Sequence, residues 1–196
     1  MNHMKNIYLN GLLAFLLPIL ASCAPMAAVG VTTGAGTGAV VSEDRRTSGM
    51  FVEDESIELK SNRRIKEQLG DNVHINVTSF NRIVLLTGEV PDEVMKEQAE
   101  RFVMTIPNVR NIINEIAIAE NSSLTSRSKD SLITSRVKGR FLTKGKFQIN
   151  HIKVLTENGI VYLLGMVKHE EADNAAEIAS ATSGVLKVVK VFEYLD

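Results

Sequence analysis

One pattern is written twice in this chain. Residues 75–88 read INVTSFNRIVLLTG and residues 152–165 read IKVLTENGIVYLLG. The pairs Ile75/Ile152, Val77/Val154, Asn81/Asn158, Ile83/Ile160, Val84/Val161, Leu86/Leu163, Gly88/Gly165 and Val90/Val167 all share one offset of 77. A pattern that recurs at a fixed period builds one supersecondary unit repeatedly. Each copy alternates apolar and polar residues up to Asn81-Arg82 or Asn158-Gly159 and then resumes, which predicts a β-hairpin. Asn and Gly both tolerate the positive φ that such a turn requires.

A helix follows each hairpin. Pro91-Asp92-Glu93 suits a helix start, with an acidic first turn set against the helix dipole. Residues 170–181 form the second such helix, where Ala172, Ala175, Ala176 and Ala179 would let it sit close to a sheet. Closing strands are expected over 109–119 and 185–194. A helix precedes each hairpin too: Ile133, Val137 and Phe141 are spaced by four as one apolar stripe. Ile65 and Leu69 are matched to Val137 and Phe141 at an offset of 72, giving the second copy five more residues between helix and hairpin. The fold class is therefore α+β, with two tandem αββαβ units. Each is a three-stranded mixed sheet packed by two helices, and packing the copies together would help both small cores.

The chain's start reads as an address. Lys5 precedes an apolar run over 11–20, too short to span a membrane and of the size of a signal-peptide core. Leu20-Ala21-Ser22-Cys23 resembles a lipobox, in which the cysteine thiol is acylated and becomes the new N-terminus. Cys23 is the chain's one cysteine, so no intramolecular disulfide is available. The expected organisation is a lipoprotein signal peptide over 1–22, a lipidated flexible tether over 23–53, a first domain over 54–120, a linker over 121–128 and a second domain over 129–196. Gly34, Gly36 and Gly38 lack the flanking strand, helix and Lys-Ser/Thr of a phosphate loop and read as linker.

The hairpin signature, the alanine-bearing helix and the Gly184-Val185 closing turn resemble the BON domain. Two copies behind a lipobox are similar to the dual-BON lipoproteins of Gram-negative outer membranes. The first copy departs from the pattern at Pro107-Asn108. This resemblance implies a lipid-anchored, periplasm-facing protein on the outer membrane that supports envelope integrity. Ala rather than Asp after Cys23 favours that sorting by resemblance to enterobacterial lipoproteins. The resemblance also implies that the first helix of the second domain binds anionic phospholipid, with Leu132 at the position of membrane contact.

Chemistry is sparse. His74 and His151 occupy equivalent places before the hairpins and read as surface residues; no cysteine–histidine set suggests a metal, and no cofactor is expected. No nucleophile motif is present, so the chain is read as a binder and not as an enzyme. Absent Trp and few aromatics argue against nucleic acid. Charge is more informative. Residues 54–120 carry eight basic and twelve acidic side chains, whereas 127–196 carry eleven and eight. Residues 127–146 hold seven basic side chains against Asp130 alone, a net charge of +6. With Ile133, Val137 and Phe141 inward, Leu132, Arg136 and Arg140 lie on other faces, with Leu142, Lys144 and Lys146 at the helix end. An apolar tip among cations suits an interface of phosphatidylglycerol or cardiolipin. The rival reading is an adaptor docking an acidic partner such as an outer-membrane assembly or cell-wall remodelling protein; a hydrolase is a distant third. Gly88 and Gly165, each ending a strand ahead of a helix, are expected to be structural.

Cys23 is predicted to carry acyl chains. Metabolic labelling with a fatty-acid analogue should mark the wild type and be lost in Cys23→Ala; a labelled, membrane-bound variant would overturn the lipobox reading.

Overall fold

A computed structural model describes residues 44–70 and 73–196; the expected signal peptide, Cys23 and the expected tether up to residue 43 lie outside the described residues. The first copy runs α1 (Ser48–Leu69), β1 (His74–Phe80), β2 (Ile83–Val90), α2 (Glu93–Met104), β3 (Asn111–Asn114) and β4 (Ala117–Ile118). The second runs α3 (Leu124–Lys144), a 3-10 turn at Ile149–His151, β5 (Ile152–Glu157), β6 (Ile160–Val167), α4 (His169–Ser180) and β7 (Lys187–Tyr194).

Both predicted hairpins form, and their turn residues take positive φ: 51° and 63° at Asn81 and Arg82, 49° and 75° at Asn158 and Gly159. In each copy the hairpin strands are antiparallel, and the closing strand joins β2 or β6 in parallel. Asn108 (φ 69°) does in the first closing turn what Gly184 (φ 97°) does in the second, which explains why Pro107-Asn108 can replace the glycine there. The first closing strand is split after Asn114, whose side-chain oxygen accepts from Ile116 N at 3.2 Å while its amide reaches α2. The expected single strand over 109–119 is therefore two short ones.

One buried aspartate per copy ties helix to hairpin. Asp54 accepts from the backbone N–H of Asn81 and of Arg82, both at 2.8 Å, and from Ser79 Oγ at 2.7 Å. Asp130 accepts from Asn158 N and Gly159 N at 2.9 and 2.8 Å. These anchors correct the helix alignment. Asp54, Ile57, Ser61 and Ile65 are the buried positions of α1, and Asp130, Ile133, Val137 and Phe141 those of α3, so the helices match at an offset of 76 and not 72. The second copy has one extra residue before its hairpin, not five.

Two further boundaries move. α3 starts at Leu124, with Ser123 as its N-cap, so much of the stretch read as linker is helix. α1 starts at Ser48, so the tether ends earlier than residue 53. Just before it, Arg46 pairs with Asp54 at 3.0 Å, while Arg45 pairs with Glu171 at 2.7 Å and donates to the Met166 carbonyl at 2.8 Å. These two arginines clip the chain's entry to both copies.

Helices cover one face of each sheet. Val77, Val84, Leu86 and Val90 pack with Ile57, Ile65, Ala99 and Val103; Val154, Val161, Leu163 and Val167 pack with Val137, Phe141, Ala172, Ala175 and Ala179. The alternate residues of the same strands meet across a shared layer: Phe80 and Leu85 from the first sheet against Tyr162, Leu164 and Val191 from the second. The sheets stand back to back with helices outside. Burial in that seam pushes the Tyr162 phenol up to about 12.

Gly88 and Gly165 sit where the hairpin backbones approach most closely. A Cβ at Gly88 (φ 114°) would lie 1.9 Å from the His74 carbonyl oxygen, and one at Gly165 would lie 2.3 Å from that of His151. Gly165→Val is expected to cost about 2 kcal/mol or more in a denaturant melt; a variant of normal stability without function would make this glycine a site residue instead. The Arg45 hydrogen bond, opposed by partial burial, holds the Glu171 carboxyl below its ordinary range. A depressed carboxylate stabilises the fold above the unfolded pKa and loses that contribution as pH falls through the folded one. Arg45→Ala should therefore lose about 1–2 kcal/mol at neutral pH, and the gap to wild type should narrow in acid; an unchanged gap would show that Glu171 does not supply it.

Candidate functional site

α3 presents the second copy's most distinctive surface. Its inner stripe is Ile133, Val137 and Phe141, all buried as expected. Much of the remaining circumference faces solvent. Leu132 is 50% exposed and Leu142 is 70% exposed. At 100° per residue the two are about 80° apart around the helix and about 15 Å apart along it. Arg136, Lys144 and Lys146 are exposed as well. Asp130, the one acid in this stretch, is turned inward, where it accepts from the backbone N–H groups of the β5–β6 turn.

Arg140 is placed differently from its neighbours. Its guanidinium donates to the Ala181 carbonyl and to Thr182 Oγ1, at the end of α4. A cation there satisfies carbonyls that the helix leaves unpaired. Arg140 thus braces α4 against α3 and is only partly available at the surface. Lys146 contributes its backbone N–H to Asn174 Oδ1 at 2.9 Å, leaving its side chain outward.

Leu186 is a residue that sequence reading missed. It stands in the turn between α4 and β7, 80% exposed. A Cβ at Gly159 would meet its side chain at 2.9 Å, and one at Gly184 would lie 3.0 Å from Ile133 and 4.0 Å from Arg136 Nη1. The turn bearing Leu186 therefore runs beside α3 at the level of Ile133 and Arg136, over the hairpin tip that Asp130 holds. Leu132 and Leu186 flank one tip. A signal for this existed: Gly184-Val185-Leu186 aligns with Asn108-Val109-Arg110, so a charged residue of the first copy is replaced by a leucine. Leu124, at the start of α3, is a further exposed apolar residue.

The first copy lacks this arrangement. At an offset of 76, Leu132 corresponds to Ser56 and Leu142 to Lys66. Arg63 of α1 is neutralised by Glu67 at 2.7 Å, and Arg110 by Glu193 at the seam. Among the described residues no helix is long and apolar enough to cross a membrane.

His74 and His151 are not surface residues. His74 lies half-buried in the seam with Glu89, and His151 packs 3.9 Å from Glu171 with its Nδ1 buried. The register predicted equivalent places but not what covers them: β5 of the second copy beside His74, and α4 with the entry segment beside His151.

Comparison with known proteins places these features. The BON domain family matches twice, over residues 53–120 and 129–196. The chain is 38% identical over 168 residues to the outer membrane lipoprotein DolP of Haemophilus influenzae, covering 85% of this chain and 87% of that protein. It is 36% identical to the 21 kDa hemolysin of Actinobacillus pleuropneumoniae, covering 78% and 79% of the two chains. It is 27% identical to osmotically-inducible protein Y of Escherichia coli, covering 80% of each.

Proposed function

We propose a function from one premise: this chain belongs to the BON-domain family and carries the domain twice. It is an outer-membrane lipoprotein, anchored through Cys23 and facing the periplasm, that binds anionic phospholipid through its second domain and supports the integrity of that membrane. The Haemophilus relative, an outer membrane lipoprotein, supports the outer-membrane setting. The lipid reading rests on one observation above the rest, the exposed Leu132 with Arg136 on a helix whose own single acid is turned inward, and the exposed Leu186 in the turn beside it.

The physics suits a shallow interfacial contact. Leucine tips enter the headgroup boundary, and each adjacent Lys or Arg contributes about 1 kcal/mol near an anionic leaflet. Anchoring raises the local concentration of bilayer, so a weak contact suffices. Arg140 supports the site by bracing α4, with Arg136, Lys144 and Lys146 supplying the outward charge. The first domain, acidic overall, is the weaker membrane binder.

Flotation with liposomes tests this reading on protein lacking Cys23. Wild-type protein should float with phosphatidylglycerol or cardiolipin and not with zwitterionic vesicles, and less so in high salt, where the screening length falls from about 8–10 Å to about 3 Å at 1 M. Leu132→Glu and Arg136→Glu should each abolish flotation without changing the melting temperature, and Leu186→Glu should weaken it. Charge reversal at Arg63 and Arg64 should matter little. Flotation that ignores lipid charge, or that is lost only in the first-domain variant, would move the function to a protein adaptor or to the other domain.

A further inference from the structure

The seam between the two sheets is apolar at its centre but not at one end. There His74 and Glu89, on paired positions of β1 and β2, face Glu157 at the end of β5. Glu89 is 1% exposed and Glu157 is 7% exposed. His74 Nδ1 lies 2.7 Å from Glu89 Oε2 and 4.0 Å from Glu157 Oε1. The three ligand atoms lie within 4.8 Å of one another.

How the other oxygens are held is more telling. Glu89 Oε1 accepts from the Asn158 amide, and Glu157 Oε2 accepts from the Asn76 amide at 2.7 Å. Each carboxylate therefore has one oxygen fixed by an asparagine and the other turned toward the same imidazole nitrogen. Outer hydrogen bonds of this kind orient the ligands of metal sites. The Ser122 N–H, 3.3 Å from Glu89 Oε2, is the remaining polar contact on that oxygen.

Charge points the same way. Two buried carboxylates share one imidazole, and Asp130, also buried, adds to the negative field. A cleft of about 450 Å³, lined by His74, Asn76, Asp130, Thr134 and Glu157, opens this end of the seam to solvent.

We propose that His74, Glu89 and Glu157 form a site for a divalent transition-metal ion of zinc's class, clamping the first sheet to the second. One imidazole and two single carboxylate oxygens are ligands zinc accepts at about 2.0–2.2 Å, with water in the open position. Tetrahedral bonds of that length set ligand atoms about 3.3 Å apart. The 2.7 Å gap would widen and the 4.0 Å gap would close by less than 1 Å each, and the two carboxylate oxygens, no more than 4.8 Å apart, would be drawn to the same spacing by side-chain rotation. The imidazole donor disfavours magnesium and calcium, which take oxygen ligands. A neutral imidazole and two carboxylates carry −2, which a divalent cation cancels. Sequence reading missed the set because its ligands come from three strands in two copies.

The test uses the full-length chain in detergent, stripped with chelator and titrated with ZnCl₂, with MgCl₂ as control. One zinc per chain should bind saturably and raise the melting temperature, and magnesium should do neither. Co²⁺ in its place should give visible d–d absorption. Glu157→Gln and His74→Ala should abolish the absorption and weaken zinc binding by at least about tenfold, and Asn76→Ala should weaken it about tenfold. His169→Ala, at the exposed His169–Asp196 pair, should change nothing. If the wild type shows no stoichiometric binding, or if Glu157→Gln binds as tightly as wild type, the trio is an ion-pair clasp and the proposal fails.

Discussion

A sheet with helices on one face still has another face to cover. In this chain each copy covers the other. β2 and β6 show the consequence most plainly: Val84, Leu86, Val161 and Leu163 face helices, while Leu85, Tyr162 and Leu164 face the opposite sheet. Fully burying an aliphatic or aromatic side chain is worth about 1.5–3 kcal/mol, so this shared layer is a major term for two small domains. Its closure also decides what remains exposed. Once both inner faces are spent on each other, the outer helices are the surfaces left for partners.

The seam is polar as well as apolar. Glu193 takes Arg110 and Asn81 of the first copy, Lys153 takes Glu58 at 2.7 Å, and Asn158 reaches Glu89. These pairs lie around the apolar centre and join unlike positions of the two copies. Identical faces can pair across a two-fold axis, but two copies on one chain are free to diverge where they meet. Glu89 against Met166 and Asn76 against Lys153, equivalent positions at the offset of 77, reflect that divergence. The same freedom acts on the outer helices, where Ser56 and Arg110 of the first copy stand against Leu132 and Leu186 of the second.

Much of the fold was legible because turns and strand alternation leave local marks. The Asn81-Arg82 and Asn158-Gly159 turns, the Ile133–Val137–Phe141 stripe and the alanine face of α4 all follow from spacing alone. The helix alignment failed for a physical reason. A stripe of apolar residues spaced by four looks the same after a shift of one helical turn, and 72 differs from 76 by one such turn. Ser61, buried where α3 has Val137, hid the better match. Only Asp54 and Asp130 fix the register, and their role appears once the turn N–H groups are seen to point at them. The candidate lipid surface was half legible. Leu132 and Arg136 followed from the helical wheel, whereas Leu186 required knowing which turn runs beside α3, and Arg140 required knowing that α4 ends within its reach.

An acyl anchor brings a domain to a bilayer but does not choose which face meets it. Arg45 grips the Met166 carbonyl and Glu171, near one end of β6, whereas the Asn158-Gly159 tip with Leu132 and Leu186 lies at the other. Eight residues of strand separate those ends, about 25 Å. The point where the chain enters the fold is thus remote from the proposed lipid tip. On the proposed reading, orientation at the membrane comes from the surface itself: from the exposed cations Arg136 and Lys144 of α3, and from leucines that the back-to-back sheets leave outside.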